Sequence, residues 1–223
     1  MTHLRRSGRI GSPLSLQRRA AVLSAAAAAA LPLLMHGAPA QAAPKVGAPA
    51  PGFSLADSSG RTHSLQDYQG KLVVLEWTNH DCPFVRKHYG AGNMQQLQKA
   101  AASSGVVWLT VISSAPGEQG HVSPAQADEL TRSRDAAPAA VLFDPEGTVG
   151  RSYAAQTTPH MYIISPEGQL LYMGGIDSIA STSQADIAKA TPLFRNALEE
   201  AQAGKPVSMA VTRPYGCSIK YKG

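Results

Sequence analysis

The sequence predicts an α/β domain with a mixed sheet. Three observations carry this. Apolar runs of strand length, VVLEW (73–77) and VVWLTVI (106–112), alternate with longer segments of helical pattern. Turn sequences separate them, among them Asp57-Ser58-Ser59-Gly60 and Asp144-Pro145-Glu146-Gly147. The series closes on MYIIS (161–165) and QLLYMGG (169–175) about Pro166-Glu167-Gly168, which reads as a hairpin and so adds antiparallel pairing to a βα alternation.

Taken in order, residues 43–52 are rich in Pro, Ala and Gly and read as an extended or poorly ordered linker. FSLADSSGRTHSL (53–65) gives two short strands about a turn. The run 72–77 is long enough for a buried central strand, and helix is expected over 84–102 with a break at Gly90-Ala91-Gly92-Asn93. Pro124 opens a helix to about Arg134, and 140–143 is a short strand. Residues 183–203 carry a helical pattern broken at Thr191-Pro192, and 205–223 reads as an irregular tail holding Cys217.

The formal charge of +5 arises from 20 basic and 15 acidic side chains. Arg5, Arg6, Arg9, Arg18 and Arg19 lie within residues 1–42, which contain no acid, so the rest of the chain is formally neutral. That removes any argument for nucleic acid or an anionic membrane as partner. Residues 1–42 read as an export signal: a basic start, an apolar run from Ala20 to Met35, and Ala40-Gln41-Ala42 as a cleavage site. The run is short for a membrane span and is interrupted by Pro32. Arg18-Arg19 before it resembles a twin-arginine motif. Export predicts a periplasmic or secreted protein with no stable membrane insertion after cleavage, in surroundings where disulfides persist.

Only Cys82 and Cys217 are available for thiol chemistry. Cys82 stands in LEWTNHDCPFVRKHY (75–89), after a strand and before Pro83 at the start of a helix. A thiol at a helix N-terminus is favoured as thiolate by unpaired backbone N–H groups and the helix dipole. Arg86, one turn on, would orient a substrate on the sulfur or simply be a solvated helix charge. Glu76, near the end of the strand, would be desolvated and serve as a proton shuttle, or would pair with Lys71 or face solvent at an edge. His80, His88, His121 and His160 match no metal-ligand spacing, so neither a metal nor an organic cofactor is expected.

From about Gly47 to Ala203 the chain resembles the thioredoxin-like superfamily, and within it the redoxin group of alkyl hydroperoxide reductases, thiol-specific antioxidants and exported thiol-disulfide proteins. The resemblance rests on Ala50-Pro51-Gly52-Phe53-Ser54-Leu55, Gly70-Lys71, the strand leading into Cys82, and Thr158-Pro159-His160-Met161-Tyr162 with Pro166-Glu167-Gly168. It implies a thioredoxin-like fold over 53–204, Cys82 as nucleophile, Glu76 as buried acid, and a cis-proline at Pro159 beside the sulfur. Thr158, Pro159, Pro83 and Arg86 would then bind substrate. Two departures stand out. The second cysteine of a thioredoxin pair is replaced by Val85, and the threonine and proline that precede a peroxiredoxin cysteine are replaced by Asn79 and Leu75.

Cys217 lies thirteen residues past Gly204, on a tail that spans roughly 43 Å at about 3.3 Å per residue. It is expected as the resolving cysteine for Cys82, with a static bridge and two unlinked thiols as alternatives. The implied function is an exported thiol oxidoreductase acting on a disulfide or a peroxide, recharged by an external thiol reductant. Two readings compete: a non-catalytic binding module with a structural bridge, and a copper-handling thiol protein.

Overall fold

The structure, a computed structural model, describes residues 43–223. The expected export signal lies outside the described residues. Seven strands form one mixed sheet in the order β2-β1-β5-β4-β3-β7-β8: β1 (Ser54–Asp57), β2 (Thr62–Ser64), β3 (Val73–Trp77), β4 (Val107–Ile112), β5 (Ala140–Phe143), β7 (His160–Ile164) and β8 (Leu170–Gly174). β3, β4 and β5 run parallel, while β1, β2, β7 and β8 add antiparallel pairs at the two sides. A separate two-stranded pair joins β6 (Thr157–Thr158) to β9 (Cys217–Ser218).

β3 is apolar throughout, with one acid, because both of its faces are covered. Val74 meets Val85 and Tyr89 of α1 (Pro83–Gly90), Met94, Leu97 and Ala101 of α2 (Asn93–Ser103), and Phe194, Ala197 and Leu198 of α5 (Leu193–Gln202) in one core cluster. On the opposite face Val73, Leu75 and Trp77 join Leu109, Val111, Leu142, Tyr153 and Tyr162, closed by Val149 of α4 (Thr148–Ser152). α3 (Pro124–Ser133) begins at Ser123, whose side chain and that of Gln126 cap each other's backbone.

The break between α1 and α2 falls where expected. Gly92 takes φ +71°, a left-handed turn that glycine adopts without penalty. Two expectations need correction. Residues 43–52 are not loose, because Gly47 N–H and Ala50 N–H donate to Leu170 O and Gly168 O, and the Tyr153 hydroxyl to Pro51 O. The helical pattern from 183 yields only a 3-10 turn, Gln184–Asp186, before α5. There Ser181 and Lys189 both bond the Asp186 carboxylate, a local alternative to helix, and few apolar residues reward a longer one. The tail is irregular as expected, apart from β9 and a bridge between Met173 and Val211.

Candidate redox site

The turn after β3 places the cysteine. Asn79 Oδ1 accepts from Asp81 N–H at 2.9 Å, Asn79 O accepts from Cys82 N–H at 3.1 Å, and Asn79 Nδ2 donates to Gln119 O at 3.2 Å. Cys82 thereby becomes the N-cap of α1, with Pro83 at the first helical position, where its missing N–H costs nothing. The first bond of the helix runs from Arg86 N–H to Cys82 O at 2.9 Å.

Across from the cysteine, the Thr158–Pro159 bond is cis, and Thr158 O accepts from Cys82 Sγ at 3.1 Å. β9 lies antiparallel to β6 with Cys217 opposite Thr158, so that Cys217 N–H donates to Cys82 Sγ at 3.4 Å. Sequence distance vanishes here: a thiol 135 positions away is brought beside Cys82. Both cysteines are free thiols, Cys82 fully buried and Cys217 half-buried.

Their environments push the two thiols apart. Burial works against a Cys82 thiolate, but donors outweigh it: the Cys217 thiol and the Val85 and Cys217 backbone N–H groups, which together hold Cys82 below the ordinary thiol range. By geometry the Thr158 hydroxyl is buried with no hydrogen-bond partner, so the Cys217 and Val85 groups carry the effect. Cys217 is pushed up to about 12, by burial first and then by its bond to Cys82 and that group's charge. Of the two thiols, Cys82 therefore gives up its proton more readily than Cys217.

Glu76 is completely buried on the face covered by α1 and α2. It meets neither Lys71 nor solvent. Trp108 Nε1 (2.8 Å), the Tyr89 hydroxyl (2.9 Å), Gln98 Nε2 (3.2 Å) and the Thr110 hydroxyl (3.4 Å) all donate to its carboxylate. Burial raises its pKa, and these donors offset only part of the effect. Tyr89 and Thr110 also line a pocket with Thr78, His80 and Arg134. The Arg86 guanidinium is held by the turn before the helix. Its side chain is 63% exposed, bonded to Asp81 Oδ1 at 2.9 Å and His80 O at 3.2 Å, the geometry of a solvated helix charge.

Sequence reasoning missed a buried polar cluster that seats the tail. Lys87 Nζ donates to Asp177 Oδ2 (3.1 Å), Ile179 O (3.0 Å) and the Tyr215 hydroxyl (3.3 Å), while that hydroxyl donates to Asp177 Oδ1 at 2.5 Å. His88 reaches the same hydroxyl at 3.2 Å, and burial lowers its pKa to about 4. Tyr215 also packs edge-on to Phe84, directly after Pro83. The signal available was Tyr215-Gly216-Cys217 itself, an aromatic anchor and a glycine ahead of a lone cysteine. Among the described residues no group of three or more His, Cys, Asp or Glu is placed to hold a metal.

A mixed sheet flanked by helices, with a cysteine capping the helix after the central strand and a cis-proline across from it, defines a thioredoxin-like protein of the redoxin type. The chain belongs to the AhpC/TSA family, whose model matches residues 46–173. Similar solved structures share the fold. A hypothetical protein from Sinorhizobium meliloti is 20% identical, covers 80% of this chain and 96% of its own, and superposes with a TM-score of 0.68. An uncharacterized conserved protein from Geobacillus kaustophilus is 24% identical, covering 80% and 93%, with a TM-score of 0.67. A putative protein disulfide isomerase from Bacteroides thetaiotaomicron is 15% identical, covering 72% and 91%, with a TM-score of 0.52. No match is found among curated proteins.

Proposed function

We propose that the chain is an exported thiol oxidoreductase in which Cys82 is the nucleophile and Cys217 the resolving cysteine. The observation that carries this reading is the pairing of Cys217 with Thr158, which sets a protonated thiol against a sulfur whose surroundings favour the thiolate. Thiolate attack on a disulfide forms a mixed disulfide and releases one thiolate, which takes up a proton. Attack on a peroxide breaks the O–O bond, leaves Cys82 as sulfenic acid and releases water or an alcohol. In either case Cys217 then attacks the Cys82 sulfur, displacing the second thiol or water and forming a Cys82–Cys217 disulfide. An external thiol reductant returns two electrons and two protons, so no organic cofactor enters the cycle. Thr158, Pro159 and Pro83 frame the sulfur that receives the substrate. Glu76 would exchange protons with the pocket side of its network as the thiols titrate.

The binding-module alternative needs an open edge at Thr158 for a partner peptide, and that edge is filled by the chain's own β9. The expected export fits this assignment, since a cycling disulfide suits a periplasmic or secreted setting. Mass spectrometry after mild peroxide or a model disulfide, then after dithiothreitol, tests the cycle. Wild type should gain and lose one disulfide. Cys82→Ser should lose all turnover, and Cys217→Ser should stop at the sulfenic acid or mixed disulfide. A bridge that resists dithiothreitol, with no turnover in wild type, would overturn the assignment.

A further inference from the structure

The C-terminal tail lies on the redox site and takes the place of an incoming strand. An extended peptide that recognises this fold through main-chain bonds would add to the free edge at Thr158. That edge is taken by Cys217 and Ser218. The fit allows no side chain at the preceding position: Gly216 has φ +146°, and a Cβ there would fall 2.0 Å from Thr158 O.

The tail is fastened on both sides of Cys217. Before it, the Tyr215 hydroxyl enters the buried Lys87–Asp177–His88 cluster, and Thr212 Oγ1 bonds the Tyr172 hydroxyl (2.6 Å) and Gly175 N–H (3.0 Å). After it, Ile219 is buried in the core and its N–H donates to Gln156 O at 3.0 Å, while Ala115 N–H donates to Lys220 O at 2.8 Å. The Tyr221 hydroxyl donates to Ala155 O at 2.7 Å. Beneath these contacts Cys82 is 0% exposed, and Cys217 alone of the pair reaches the surface.

We infer that the docked tail, held by Tyr215 and fitted by Gly216, is a specificity determinant that admits small oxidants to Cys82 and excludes polypeptides. The inference rests on the cysteine-pair reading and adds to it the size class of the substrate. The sulfur offered to a protein reductant is then Cys217, which the disulfide places outermost. Two residues outside the cysteine pair decide the selectivity. Gly216→Val drives β9 off Thr158, and Tyr215→Phe removes one donor to a carboxylate while keeping the ring against Phe84.

The test compares alkylation of reduced full-length protein by iodoacetamide and by the same iodoacetyl group carried on a small folded protein, with the modified cysteine mapped by mass spectrometry. Wild-type Cys82 should react with iodoacetamide and not with the protein-borne reagent. Loss of a hydrogen bond to a charged group should raise the undocked population, and with it the Cys82 rate for the large reagent, by roughly tenfold or more in Tyr215→Phe. Gly216→Val should do so further. Equal rates for the two reagents in wild type, no reaction of wild-type Cys82 with either, or an unchanged ratio in Tyr215→Phe would overturn the inference. Because alkylation needs only the Cys82 thiol, these outcomes are distinct from a failure to cycle a disulfide.

Discussion

Cys82 is a buried sulfur whose neighbours favour its thiolate. Its largest donor is the Cys217 thiol, so Cys217→Ala should raise the pH midpoint of Cys82 alkylation; a midpoint that stays put would show that helix α1 alone sets the thiolate. Glu76 poses the opposite case, a carboxyl whose pKa is raised by burial. A raised carboxyl pKa means that the folded state binds more protons than the unfolded one above the ordinary value of about 4.3. Its contribution to stability is therefore lost as pH rises from there toward the folded pKa. Urea unfolding across that range should give a steeper decline for wild type than for Glu76→Gln, and parallel slopes would refute the buried-acid account. Cys82 was legible because a strand, a cysteine and a helix-starting proline occur in that order. The environment of Glu76 was not, since Tyr89, Gln98, Trp108 and Thr110 come from three other elements. Of the two readings open for Arg86, its bonds to Asp81 and His80 O fit the solvated helix charge.

At the scale of elements, the site depends on the turn that joins β3 to α1. Gly120 presses on that turn: its φ is +91°, and a Cβ would lie 2.4 Å from Asn79 Cγ. Gly120→Ala should push Asn79 off Asp81 N–H and Gln119 O and shift the end of the helix. We expect slower Cys82 alkylation together with lower stability; unchanged kinetics would show that the turn absorbs the change elsewhere. Elements whose pattern is local were readable, including the central strands, the two hairpins, and the division of α1 from α2 at Gly92. Residues 183–190 were misread because the helical periodicity there has little apolar surface to bury, so side-chain bonds to Asp186 prevail. β6 and β9 were invisible because two-residue strands carry no periodicity.

For the molecule as a whole, the tail closes the second core cluster as well as the redox site. Ile219 is 9% exposed against Leu109, Tyr153 and Tyr162, and Tyr221 packs at the same margin under Arg151. Removing residues 219–223 should lower stability by at least the ~1.5–3 kcal/mol of one fully buried aliphatic side chain, measured as a fall in the urea midpoint at constant slope. It should also speed alkylation of Cys82 by large reagents, and an unchanged midpoint would mean that the tail rests on the surface without supporting the core. What the amino-acid sequence by itself determined was the α/β alternation, the mixed sheet, the place of Cys82 at a helix start and the redoxin character, because each depends on residues close together in the chain. The meeting of Cys217 with Cys82, the closed Thr158 edge and the Lys87–Asp177–Tyr215 anchor were decided only by the tertiary structure. Their partners lie 38 to 135 positions apart, and no local pattern encodes which distant backbone edge a short strand will find.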